Sequence, residues 1–209
     1  MKNVSILFAF ALLFVFNFTF AQNDPLDDIV KLEKKAALFK MADLATSEEK
    51  GIDLFYQRFN WTADPAEFYI SGEVVMYFTV TEDQLSEIDL EMFNAGLDVS
   101  SVQSSQGNLN FEEIGEWQFK ITLPNALPLG AVDSLIITYE GTPNNTGFGS
   151  FVSSSHGPDE TPLMWTLSEP YGARDWRPVK QDLNDKIDST DIYVTSPLGY
   201  SVAANGVLM

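Results

Sequence analysis

The 209-residue sequence has no cysteine and only one histidine, His156. Without cysteine no disulfide can staple the fold, and no thiolate can serve as nucleophile or metal ligand, so stability has to come from an apolar core. With one histidine, a serine-type triad has a single candidate base. It stands beside Ser153, Ser154 and Ser155, with no orienting carboxylate or nucleophile turn in view, and the group is read as loop. The helical His-Glu-x-x-His zinc pair is missing, and Gly147-Phe148-Gly149 lacks the Lys-Ser/Thr tail of a phosphate loop. Basic residues are scarce: 12 Lys and Arg stand against 30 Asp and Glu, a formal charge of −18. Such a surface repels phosphate backbones and argues against nucleic acid as a partner. With so many acids, a pair of carboxylates carries no information about glycoside hydrolysis. Beyond the first 21 residues, no apolar run is long enough to cross a bilayer.

What is present starts with a leader. Lys2, the apolar run ILFAFALLFVF, and Thr19 and Ala21 at the −3 and −1 positions predict a signal peptide over 1–21, cut before Gln22. The expected location is periplasmic, secreted or cell-surface. Residues 22–50 predict a short helical extension, with Asp24-Pro25 at its start and Asp27 and Asp28 in its first turn. An approximate helical stripe runs from Ile29 through Val30, Leu32, Ala36 and Phe39 to Met41.

From Ile52 the apolar period becomes two. Trp117, Phe119, Ile121 and Leu123 alternate with polar residues, as do Ile88, Leu90 and Met92; Leu135, Ile137 and Tyr139 alternate with Ile136 and Thr138. Tyr69–Val80 and Asp191–Thr195 are β-branched and aromatic runs. Punctuation falls at Asn94-Ala95-Gly96, Gln106-Gly107-Asn108, Pro124–Gly130 and Gly141–Gly149. Residues 141–164 read as one long Gly/Ser/Pro/Asn loop. Short strands without intervening helices predict a mainly β, antiparallel sheet or sandwich over 51–209, preceded by the short N-terminal helix.

One stretch is denser in large side chains than the rest: WTLSEPYGARDWRP, Trp165–Pro178, followed by VKQDLNDKIDSTDIYVTSP and YSVAANGVLM. Thr166, Glu169-Pro170, Ala173-Arg174, Pro178, Asp182, a strand ending at Pro197 and Asn205-Gly206 occur in that order. Upstream lie Ile70-Ser71-Gly72, and Ile136–Gly141 followed by Gly147-Phe148-Gly149. This ordered set resembles the N-terminal β domain of the zinc aminopeptidases of the aminopeptidase N family, over about residues 50–209. The chain departs from that pattern at Val179, where Cys is common, at Leu183-Asn184-Asp185, where a second Pro is usual, and at Ala204, where Ser is usual.

The resemblance implies a saddle-like, mostly antiparallel domain that packs against a thermolysin-like catalytic domain. That second domain holds zinc, which polarises the scissile carbonyl and activates water, with a Glu as general base. Its motifs do not occur in this sequence, so the chain is expected to be the N-terminal part of an exported zinc aminopeptidase acting on peptides with a free N-terminus. The resemblance also assigns Glu169 to the substrate's amino terminus; Tyr171, two residues on, is expected to line the pocket. Trp165, Trp176 and Arg174 are expected to hold the segment in place, Arg174 by pairing with Asp175 or Asp182. The rival expectation, from another class, is an exported, non-enzymatic β-sandwich for binding or adhesion.

Overall fold

The computed structural model describes Val30, Lys34 and residues 51–147, 149–182 and 184–209. The chain divides into two units, Met1–Leu32 and Glu33–Met209. Val30 and Lys34 are helical and exposed. The leader over 1–21 and the rest of the expected 22–50 helix lie outside the described residues.

Alternation of buried and more accessible side chains marks the clearest strands. In β8 (Val132–Gly141), Leu135, Ile137 and Tyr139 are buried while Ser134, Ile136 and Thr138 are not. In β7 (Gln118–Leu127), Phe119, Ile121 and Leu123 point inward. The remaining strands are β1 (Ile52–Thr62), β2 (Ile70–Val80), β3 (Leu85–Glu91), β4 (Leu97–Ser104), β5 (Gly107–Asn108), β6 (Asn110–Ile114), β9 (Ser150–His156), β10 (Thr161–Leu167) and β11 (Ser189–Thr195). They form a six-stranded sheet in the order β11-β1-β2-β8-β4-β5, a three-stranded sheet β3-β7-β6 and a two-stranded sheet β10-β9. One core joins the first two sheets. Val74, Met76, Phe78, Leu135 and Ile137 come from the larger sheet, and Leu85, Ile88, Leu90, Phe119 and Ile121 from the smaller. The predicted mainly β, antiparallel class is observed, with one exception: β11 runs parallel to β1, from Tyr56↔Ser189 to Thr62↔Thr195.

Two local expectations are corrected. Residues 141–164 are not one loop. Ser150–His156 and Thr161–Leu167 pair as an antiparallel hairpin, from Thr161↔His156 to Leu167↔Ser150. Ser153, Ser154 and Ser155 are therefore strand residues, and Trp165 lies in β10. The Ser153 hydroxyl donates to the Pro65 carbonyl at 3.1 Å. Pro124–Leu127 also belongs to a strand. The β3–β7 ladder pairs Glu87 with Thr122 and then jumps to Leu85 with Leu127, so Pro124 falls where the partner strand asks nothing of its missing N–H. There the Gln106 side chain replaces a strand: its Nε2 donates to the Asn125 carbonyl and its Oε1 accepts from the Asn125 N–H, both at 2.9 Å.

Gly72, the third residue of Ile70-Ser71-Gly72, is needed for space. A Cβ there would sit 2.4 Å from the Asn60 carbonyl oxygen and 2.7 Å from the Trp61 ring. The indole of Trp61 can lie against β2 because this position carries no side chain.

Candidate functional site

The segment after β10 is built around three consecutive side chains. Arg174 and Asp175 lie in a one-turn 3-10 helix, Ala173–Asp175, and Trp176 caps it. At three residues per turn, successive side chains leave the axis about 120° apart. Each of the three reaches a different sheet.

Arg174 reaches the three-stranded sheet. Its Nη1 donates to Glu91 Oε2 at 2.7 Å, with both side chains largely out of water, and its guanidinium lies 4.3 Å from the centre of the Trp117 ring. The backbone follows: the Phe93 N–H donates to the Arg174 carbonyl at 2.9 Å, and Glu91 and Val179 exchange N–H···O bonds of 2.8 and 3.0 Å. Arg174 was expected to pair with Asp175 or Asp182; the partner seen here is Glu91, 83 residues earlier. Asp182 instead accepts from the Asn184 N–H at 2.9 Å in a local turn.

Asp175 reaches the hairpin. Its carboxylate accepts from the Ser150 hydroxyl and from Asn144 Nδ2 at 3.0 Å, and its carbonyl accepts from the Asn144 N–H at 2.8 Å. Ser150 opens β9, is fully buried and has φ 56, a left-handed conformation unusual for serine. The buried hydroxyl–carboxylate contact accounts for a serine in that place.

Trp176 reaches the six-stranded sheet. Its ring lies 4.7 Å from that of Trp61, which in turn stacks on Phe59 at 4.5 Å. The Tyr139 hydroxyl accepts from Trp61 Nε1 at 3.0 Å and donates to the Trp176 carbonyl at 3.2 Å. Burial holds that phenol well above the usual tyrosine range, so it stays protonated and able to donate.

This knot carries the preceding turn. Trp176 Nε1 donates to Ser168 Oγ at 3.0 Å, the Gly172 N–H donates to the Ser168 carbonyl at 2.6 Å, and Gln181 Nε2 donates to the Tyr171 carbonyl at 3.0 Å. Glu169 sits in the turn thus anchored, exposed, in a cis peptide with Pro170. No hydrogen bond or ion pair engages its carboxylate among the described residues. Tyr171 is half-buried, as is Trp165 in β10. His156, at the far end of β9, is exposed and takes no part in this arrangement. The expected supports Trp176 and Arg174 are joined by Asp175, which the sequence offered only as a partner for Arg174, and by Ser150 and Glu91, which sequence reasoning missed. Nothing local marks Glu91 or Ser150.

Downstream, Lys180, Asp185 and Asp188 are strapped to β1. Lys180 Nζ lies 2.6 Å from both Asp185 Oδ2 and the Ile52 carbonyl oxygen, and the Leu54 N–H donates to both oxygens of Asp185 at 3.2 and 3.1 Å. A hydrogen bond with the Asp185 carboxyl, then burial and the Asp185 charge, raise the pKa of Asp53; Lys180 opposes them. An acid whose pKa is raised by folding favours the fold below the ordinary aspartate range, and loses that contribution as pH rises through its folded pKa. Asp53→Asn should therefore match wild type near pH 3 and exceed it at pH 7, by less than about 1 kcal/mol because the site is exposed. Melting curves across pH test this; an equal difference at both ends would contradict it.

Zinc, which the resemblance implies, finds no seat among the described residues. There is one histidine and no cysteine, and among the described residues no group of three or more His, Cys, Asp or Glu is placed to hold a metal.

No family model and no curated protein matches this chain. Solved structures do. The M1 zinc metallopeptidase from Deinococcus radiodurans matches with a TM-score of 0.62 and 26% identity over 76% of this chain. A mutant of that enzyme bound to a Tyr-Ser-Ala substrate gives 0.62 and 27% over 76%. Yeast LTA4 hydrolase, at 0.57 and 18% over 71%, shares the fold. The chain spans only 35% and 36% of the two Deinococcus structures and 23% of the yeast enzyme. Fold and the order of the motifs agree: the chain has the fold of the N-terminal β domain of the M1, or aminopeptidase N, zinc metallopeptidases.

Proposed function

We propose that this domain belongs to a zinc aminopeptidase in which it does no bond-breaking itself. It holds Glu169 where the substrate's free amino terminus arrives, while zinc and the catalytic groups belong to a partner domain. One observation carries the reading: Glu169 is exposed and unengaged among the described residues, on a turn whose flanking residues are pinned to three sheets. A carboxylate kept only for solubility needs no such foundation.

The chemistry suits that role. An α-ammonium has a pKa near 8, so much of it is charged at neutral pH. A fixed carboxylate makes a charge-assisted hydrogen bond with it. An internal stretch of peptide brings a neutral amide to the same place and leaves the carboxylate unmatched, so the site measures position from the chain end. Solved relatives are described as bound to L-arginine, L-tryptophan and a Tyr-Ser-Ala substrate, all ligands with a free amino group.

The test uses the full-length protein with zinc and two chromogenic amides of one amino acid, one with a free amine and one N-acetylated. Hydrolysis of the free amine and little of the acetylated form is expected. Absence of hydrolysis, or equal hydrolysis of both, would overturn the reading.

A further inference from the structure

Arg177 differs from the other shielded cations of this domain. Among the described residues, each of the others has a carboxylate within reach: Arg58 with Glu73 at 3.5 Å, Lys120 with Glu87 at 3.0 Å, Arg174 with Glu91 at 2.7 Å and Lys180 with Asp185 at 2.6 Å. Arg177 is half-buried and has none. Its guanidinium lies 4.7 Å from the centre of the Phe59 ring and 5.7 Å from that of Trp176, and Nη1 donates to the Pro178 carbonyl at 3.2 Å. A guanidinium has five N–H donors, so most of this fork is unused by the described residues. Burial lowers its pKa to about 10, with Tyr139 opposing, so the group stays charged at neutral pH without a compensating anion.

We propose that Arg177 is the receptor for an acidic side chain carried by a segment of the same protein outside residues 51–209, which docks where the half-buried Arg177 reaches the surface above the buried Phe59, Trp176 and Pro178. The planar fork matches a carboxylate in two-point geometry. The anion arrives tethered, because a chain of net charge −18 repels free anions, and phosphates more than carboxylates. Attachment to a docking segment supplies the effective concentration that overcomes this. The place is apt: Trp176 is hydrogen-bonded to Ser168, so Arg177 and Glu169 each follow one member of that pair. The inference rests on the reading that further polypeptide packs on this domain, not on the role of Glu169.

The experiment is made on the full-length protein carrying Arg177→Lys. A zero-length carbodiimide joins an amine to a carboxylate in direct contact, and mass spectrometry finds the linked pair. A cross-link from position 177 to an Asp or Glu outside residues 51–209 is expected. Arg177→Gln should lower the melting temperature, and Arg177→Lys should restore part of the loss. Absence of a cross-link at 177, or a cross-link only to an acid within 51–209, would overturn the proposal. So would millimolar acetate stabilising wild type but not Arg177→Gln, because the receptor would then take a free carboxylate. Amide hydrolysis reads the aminopeptidase proposal separately, so either can fail alone.

Discussion

Glu169→Ala in the full-length protein is expected to lower kcat/KM for free-amine substrates by roughly ten- to a hundredfold, the equivalent of the about 1.5–3 kcal/mol that a hydrogen bond to a charged group contributes. Folding should be untouched. The side chain is exposed and its carboxylate engages nothing among the described residues, so its removal should change stability by less than about 0.5 kcal/mol. Glu169→Gln retains an acceptor but loses the charge, and should fall between wild type and Ala. The discriminating measurement is the ratio of free-amine to N-acetyl turnover, because a merely structural residue would lower both together. If Glu169→Ala lost activity with that ratio unchanged, the amine-binding role would be excluded.

Arg174→Met is expected to have the largest effect on stability, about 3–5 kcal/mol, because it leaves the Glu91 carboxylate shielded from water without its cation. For a domain of this size the loss corresponds to roughly 6–20 °C in Tm. Glu91→Leu should cost a similar amount for the mirror-image reason. The double variant Glu91→Leu/Arg174→Met removes both charges and should recover most of the loss. Thermal unfolding of the three variants measures the coupling directly. Strictly additive losses would show that the pair is not the link between the turn and the three-stranded sheet.

Alternation in Phe119-Ile121-Leu123 and Leu135-Ile137-Tyr139 made the strands of the two large sheets readable, because burial on one face imposes period two. The hairpin left no such trace. Its outward residues, Ser154, Ser155 and His156, are polar, and its inward contacts near Asp175 go through a serine, so Gly/Ser/Pro composition looked like loop. The candidate site was legible as a motif and not as a mechanism. Glu169 and its aromatic neighbours stood out by resemblance. The partner of Arg174 did not, since a contact 83 residues away leaves no local signature. Nor does spacing reveal that β11 returns to run beside β1, closing the site segment onto the opening strand.

The turn at 173–176 also bears on how this region can change length. Exchanging one of its side chains alters one attachment and leaves the other two aimed correctly. Inserting or deleting a single residue rotates every later side chain by about a third of a circle, so each would face a sheet that lacks its partner. Homologous chains should therefore vary in residue type here far more readily than in spacing, with gaps accumulating at the exposed hairpin tip, Gly157–Glu160, instead.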